Sequence, residues 1–231
     1  MNYAEIVKEA IERRLFLPNI QRGVVWDEDD ICALVDSILR GYPIGAFFIW
    51  NTTLANVVFR TFADSYNSSD FLPHLQQISD QEKVKLVLDG QQRIQAMLIA
   101  LRGRYNGKQC CIRIAPPKNN STNPDDLAYD IEFLTETELT ERQADDRNWC
   151  TIGQLYYHPN DVIRDLESSE NSDSDLRPLI NKLKEQFDTQ AKIIEVGPDR
   201  PLHEVVNIFI RVNKAGEPLK AADLIMALVK T

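Results

Sequence analysis

The chain has 231 residues, 43% hydrophobic and 26% charged, enough apolar content to bury a substantial core as one large domain or two tightly joined lobes. Its formal net charge of −9 and pI of about 4.9 exclude strong binding of bulk DNA by the whole surface, because phosphate neutralisation by Lys and Arg supplies most nonspecific affinity. No stretch approaches the roughly 20 apolar residues of a membrane span, and Met1-Asn2-Tyr3-Ala4-Glu5 lacks the basic start and apolar run of a signal peptide, so a cytoplasmic protein is expected.

The first predicted element follows Leu17-Pro18-Asn19-Ile20-Gln21-Arg22-Gly23-Val24-Val25-Trp26-Asp27. Ile31, Leu34, Val35, Ile38 and Leu39 recur on one helix face, with Asp27 as N-cap and Gly41 as the stop, which predicts a helix over 28–40. Gly41-Tyr42-Pro43-Ile44-Gly45 then leads into Ala46-Phe47-Phe48-Ile49-Trp50, a continuous apolar run expected of a strand covered on both faces. An outer hairpin-like stretch is expected near 54–63.

Val84, Leu86, Val87 and Leu88 form a second buried-strand pattern, and Ile94, Met97, Leu98 and Leu101 follow at i, i+3, i+4 and i+7 of a helix over 91–103. The change of period falls at Asp89-Gly90. The first helical turn thus carries Gln91, Gln92 and Arg93, with free backbone N–H groups and the positive dipole end above the strand. A cation at a helix N-terminus is disfavoured by roughly 0.3–1 kcal/mol, so Arg93 suggests a phosphate or carboxylate lying between it and those N–H groups. The plainer reading is that Asp89 caps the helix, Gly90 makes the turn and Arg93 pairs with Asp89 or another surface acid.

A strand is expected over 109–114, then the loop Pro116-Pro117-Lys118-Asn119-Asn120-Ser121-Thr122-Asn123-Pro124. The acidic, Ser-rich stretch 167–175 is expected to be mobile. Helices over 176–187 and 202–213 flank a short strand over 191–196, and after a Gly-containing turn 221–230 reads as an apolar helix that stops uncapped at Thr231, so a fragment or one half of a two-part system is expected. These elements predict a mixed α/β (α+β) fold. The division expected is a mixed-sheet core over 1–117 and a mostly helical extension over 118–231 packed on it.

Composition narrows the chemistry. Cys32, Cys110, Cys111 and Cys150 contain no C-x-x-C pair, which argues for free buried thiols. His74, His158 and His203 each stand alone, which argues against a histidine–metal nuclease centre, and no Walker loop, G-x-S-x-G elbow or H-E-x-x-H helix is present. Residues 1–113 hold 13 basic and 13 acidic side chains, whereas 114–231 hold 13 basic and 22 acidic. Any DNA contact must then be local. Arg13, Arg14, Arg102, Arg104, Lys108 and Arg113 are the candidates for such a patch, and cations scattered on a solvated face are the plainer reading.

Three blocks carry a family resemblance: Gln21-Arg22 with Trp26 and Gly41-Tyr42-Pro43-Ile44-Gly45; Asp89-Gly90-Gln91-Gln92-Arg93 after its strand; and Phe209-Ile210-Arg211-Val212-Asn213 with Gly216 and Leu219. Together they resemble the N-terminal domain family of GmrSD-type, modification-dependent restriction proteins, related to the ParB/sulfiredoxin-like fold. That resemblance implies a cytoplasmic anti-phage domain that binds and, in several members, hydrolyses a nucleoside triphosphate with Mg²⁺, licensing a nuclease in another domain or subunit. Nuclease activity is not expected in this chain alone.

The resemblance and the helix-start argument give a division of labour. Arg93, Gly90 and the Gln91 and Gln92 N–H groups hold phosphates, and Asp89 holds the metal or orients a water, making Asp89 and Arg93 the catalytic candidates. Gln21 and Arg22 complete the pocket. Arg211 and Asn213 are further candidates, although helix-end residues often only cap. The rival readings are a non-catalytic module sensing modified DNA or a partner protein, and a ParB-like nucleotide-dependent DNA-binding protein. The acidic balance favours a free nucleotide over DNA.

Overall fold

A computed structural model describes residues 1–18, 26–52, 58–67, 75–77, 84–118, 126–167 and 176–212. Helix α1 (Tyr3–Ile11) begins at a capping box in which the Asn2 side chain accepts from the Glu5 N–H and Glu5 reciprocates. Helix α2 (Glu28–Leu39) repeats the device with Asp27 and Asp30, and Gly41 follows at φ +72°, as the predicted stop requires.

The central sheet has six strands in the order β11 (Lys192–Val196), β2 (Ala46–Thr52), β6 (Val84–Asp89), β1 (Leu15–Pro18), β3 (Val58–Arg60) and β5 (Leu75–Gln77). β6 runs parallel to β1 and antiparallel to β2, while β11 runs parallel to β2. The fold is mixed α/β, as expected.

Side-chain alternation gives the sheet two apolar faces. Phe47, Ile49 and Val87 point to one, where they bury Ile6 and Val7 of α1, Ile31, Val35 and Ile38 of α2, and Ile94, Met97 and Leu98 of helix α3 (Gln91–Arg102). Phe16, Trp50, Leu86 and Leu88 point to the other, against Val205 and Val206 of helix α8 (Leu202–Val212). Each such fully buried side chain contributes roughly 1.5–3 kcal/mol, so both faces hold β6 in place. The end of β6 is therefore a fixed platform for whatever follows it.

Beyond residue 118 the chain supplies β9 (Ile131–Leu134) and β10 (Trp149–Thr151), which flank β8 (Gln109–Arg113) in a three-stranded sheet. It also supplies helices α4 (Glu136–Asp145), α5 (Ile152–Tyr157), α6 (Pro159–Glu167) and α7 (Arg177–Phe187), besides α8 and the edge strand β11. A small parallel pair joins β4 (Ser65–Tyr66) to β7 (Arg104–Tyr105). Buried Asp36 ties α2 to the segment before β9: its Oδ1 accepts from the Ala128 and Tyr129 N–H groups at 2.8 and 3.0 Å, and its Oδ2 from Arg40 at 3.3 Å.

All four cysteines are free and buried, as their spacing predicted. Among the described residues no helix is long and apolar enough to cross a membrane. Residues 54–57 of the stretch predicted over 54–63, residues 119–124 of the loop predicted over 116–124, the Ser-rich 168–175 and everything from 213 onward, including the turn and helix near the end, lie outside the described residues, as does His74.

Candidate functional site

The change from strand to helix at Asp89-Gly90 falls where the sequence placed it. Gly90 adopts φ +89°, a left-handed conformation that turns the chain out of β6 and directly into α3. A Cβ at position 90 would meet Phe47 Cδ1 at 2.5 Å, so backbone conformation and close packing both require glycine. No side chain caps α3. The reading of Asp89 as a helix cap is corrected here: Asp89 ends β6, Gly90 occupies the cap position, and the carboxylate turns to Arg93 instead.

Arg93 reaches back across the junction. Its Nη2 donates to Asp89 Oδ2 at 2.8 Å and its Nη1 to the Ile44 carbonyl at 2.6 Å, while the guanidinium lies 5.0 Å from the Phe47 ring centroid. The cation that the sequence argument assigned to an external anion thus has protein partners of its own. Gly45 allows this approach, with φ +87°. Behind Phe47 stands Tyr3, ring centroids 6.5 Å apart in an edge-on arrangement. Burial pushes the Tyr3 phenol above its ordinary range, against the opposing pull of the Ile44 backbone and the Arg93 charge, so it stays neutral.

Above the junction lies a cleft of about 230 Å³ lined by Trp26, Leu88, Asp89, Gly90, Gln91, Gln92 and Arg93. The Asp89 and Arg93 side chains keep 30% and 18% of their surface exposed, so each can still meet a ligand. The Gln91 side chain cannot: it is buried and donates to the Val87 carbonyl, leaving only its backbone N–H for a ligand. A larger cleft of about 810 Å³ lies elsewhere, between α2, α7 and the start of β9. Its walls mix Arg40, Lys118 and Lys182 with Asp126, Asp130 and Glu132, and it borders no helix start, so size alone does not make it the site.

The model of the GmrSD restriction endonuclease N-terminal domain matches residues 3–230. The chain belongs to that family. An uncharacterized protein of Methanocaldococcus jannaschii is 26% identical over 255 residues, an alignment covering 98% of this chain and 41% of that protein. The GmrSD N-terminal domain therefore spans about two-fifths of the length of this curated relative.

Of the residues singled out from the sequence of this GmrSD domain, the structure brings together Asp89, Gly90, Gln91, Gln92 and Arg93. Arg211 is exposed on α8, the helix that covers the sheet face opposite α3, and does not line the cleft. Gln21, Arg22 and Asn213 lie outside the described residues. Sequence reasoning assigned no role to Trp26, Ile44, Gly45 or Phe47. The signal for the glycines was their spacing in Gly41-Tyr42-Pro43-Ile44-Gly45, but nothing in that motif names Arg93 as the neighbour.

Among the described residues no group of three His, Cys, Asp or Glu side chains is placed to hold a metal ion. Cys111 and Cys150 offer no nucleophile either, since burial pushes both thiols up to about 12. Of the proposed basic patch, Arg14 pairs with Glu9, Arg104 with Glu136, Lys108 with Glu28 and Arg113 with Asp146, while Arg102 lies over the Tyr157 ring.

Proposed function

We propose that this GmrSD-family domain binds and hydrolyses a nucleoside triphosphate, and that this regulates a nuclease of a modification-dependent restriction system. One observation carries the reading: α3 starts without a side-chain cap at a cleft walled by Asp89 and Arg93. Helix-start N–H groups and a partial positive charge suit a phosphate, and Arg93 adds a full charge beside them. An incoming phosphate would share the Arg93 guanidinium with Asp89 and draw on the Gln91 and Gln92 N–H groups.

A lone carboxylate fits Mg²⁺ better than a dedicated protein cage would suggest, because Mg²⁺ is commonly bound through one or two carboxylates plus substrate phosphates. Asp89 is the residue that would hold it, and the ion would neutralise charge developing on the transferred phosphoryl group. Within the protein, Asp89 orients Arg93 and Arg93 orients the phosphates. Gln21, Arg22 and Asn213 are retained in the proposal as further nucleotide contacts. Kinship with ParB-like nucleotide-dependent proteins belongs to the same proposal, as does contact with modified DNA through a partner.

Phosphate release by the purified chain, measured with each triphosphate and Mg²⁺, tests the hydrolytic half. Turnover above background that disappears in Asp89→Asn supports it. Nucleotide binding with no turnover by the folded chain reduces the domain to a sensor. The same preparation is expected to leave modified and unmodified DNA intact. Cleavage that copurifies with the chain and vanishes with Asp89 or Arg93 would contradict the regulatory assignment.

A further inference from the structure

The chain has three tryptophans, and the structure treats one of them differently. Trp50 and Trp149 are buried, with 1% and 5% of their surface exposed, whereas Trp26 is half-buried and forms a wall of the cleft at the start of α3. It stands immediately before Asp27, the N-cap of α2, and the buried part of its ring packs against the core beneath α1, α2 and α3. Leaving part of an indole in water forfeits burial energy that the other two tryptophans collect.

Phosphate binding does not explain this position. The face of an aromatic ring carries the negative part of its quadrupole, so a bare phosphate gains nothing from an indole's face. That face suits a nucleobase, whose ring stacks on it regardless of the edge the base presents. The remaining cleft side chains are Leu88, Asp89, Gln91, Gln92 and Arg93. Gln91 is committed to Val87, and Arg93 to Asp89 and Ile44. At about 230 Å³ the cleft is smaller than the roughly 300–1,000 Å³ of a whole small-molecule site, so it grips part of a ligand rather than enclosing one.

We infer that Trp26 is the base-stacking wall of this cleft, so that the ligand is a nucleotide recognised by its ring as well as its phosphates. The inference rests on the nucleotide-binding reading above and specifies its ligand. It makes the site one for a free nucleotide rather than for a phosphate of DNA backbone.

The test titrates the chain with tripolyphosphate and with purine and pyrimidine nucleoside triphosphates, by calorimetry and by tryptophan fluorescence, for the parent, Trp26→Leu and Trp26→Tyr. Stacking on an aromatic side chain contributes about one to two decades in affinity. The parent is expected to prefer nucleoside triphosphates over tripolyphosphate by about that ratio and to show quenched indole emission. Trp26→Leu should collapse the ratio toward one and abolish the quench, and Trp26→Tyr should restore most of the ratio. Equal affinity of the parent for tripolyphosphate and nucleotides overturns the inference while leaving the phosphate site standing. Equal weakening of both ligands by Trp26→Leu in a folded protein assigns Trp26 to structure and also overturns it. No binding of any of these ligands overturns the inference together with the proposed function.

Discussion

Gly45 and Arg93 pack so closely that a Cβ on residue 45 would lie 2.5 Å from Arg93 Nη1. Since φ at Gly45 is +87°, alanine there brings two penalties: roughly 1–2 kcal/mol of left-handed strain, and displacement of the guanidinium from Asp89 and Ile44. Gly45→Ala is expected to lose stability and, with it, about as much nucleotide affinity as removing Arg93. Gly107→Ala separates the two effects, because Gly107 has φ +80° with nothing within 4 Å of its added Cβ. That control should show the strain alone in denaturant melts, with affinity unchanged. Equal affinity losses in both variants would contradict the account.

Asp89→Asn is expected to retain most nucleotide binding and lose turnover. Asparagine is neutral and a poorer Mg²⁺ ligand, and α3 does not depend on this side chain for its cap. Binding and phosphate release measured side by side decide it. Turnover at the parent rate in Asp89→Asn would remove Asp89 from the chemistry.

Buried Asp36 makes a stability prediction away from the cleft. Truncation to alanine leaves the Ala128 and Tyr129 N–H groups and the Arg40 guanidinium without their acceptor, at a cost of about 2–4 kcal/mol. The denaturant midpoint of Asp36→Ala should fall accordingly, with nucleotide affinity preserved at temperatures where the variant is folded. A midpoint within experimental error of the parent would show that the segment before β9 is held by other contacts.

Acid stability should report the Arg113–Asp146 pair. Partial burial pushes the Asp146 carboxyl upward, but the Arg113 hydrogen bond, the Asn148 N–H and the Arg113 charge together hold it below the ordinary aspartate range. A carboxyl depressed on folding contributes stability that is present above its unfolded pKa, near 3.9, and lost as pH falls through the lower folded value. Asp146→Asn should therefore flatten the fall in stability below about pH 4 and leave the neutral-pH slope alone. Denaturant melts from pH 2 to 7 would show an unchanged acid limb if the pair contributes nothing.

The β6–α3 junction was legible because period, glycine and motif all fall within one short stretch. α2, β2, β8, α7, β11 and α8 were legible for the same local reason. The three helices between β9 and α7 were not read: only Leu139 of α4 is buried, so that helix carries no apolar stripe to detect. Its start was nonetheless written in Thr135 and Glu138, a capping box, as that of α5 was in Thr151 and Gln154. The parallel pairing of β11 with β2 depends on contacts between distant segments, which no local pattern encodes. At the site, the Asp89–Arg93 pair was visible as an i, i+4 spacing, whereas the Ile44 carbonyl and the Phe47 ring required the tertiary fold.

The central claim is that the cleft at the start of α3 binds a nucleoside triphosphate through Arg93. Calorimetric titration with each triphosphate, with and without Mg²⁺, for the parent and for Arg93→Ala is the most direct measurement. Removing a charge-assisted contact worth roughly 1.5–3 kcal/mol should lower affinity by about one to two decades. Some loss of stability is expected too, because the Ile44 carbonyl and the Asp89 carboxylate lose their donor. A Mg²⁺-dependent binding isotherm is expected for at least one triphosphate, weakening by that factor in the folded variant. Unchanged affinity in folded Arg93→Ala, or no binding of any triphosphate by the parent chain, would contradict that claim.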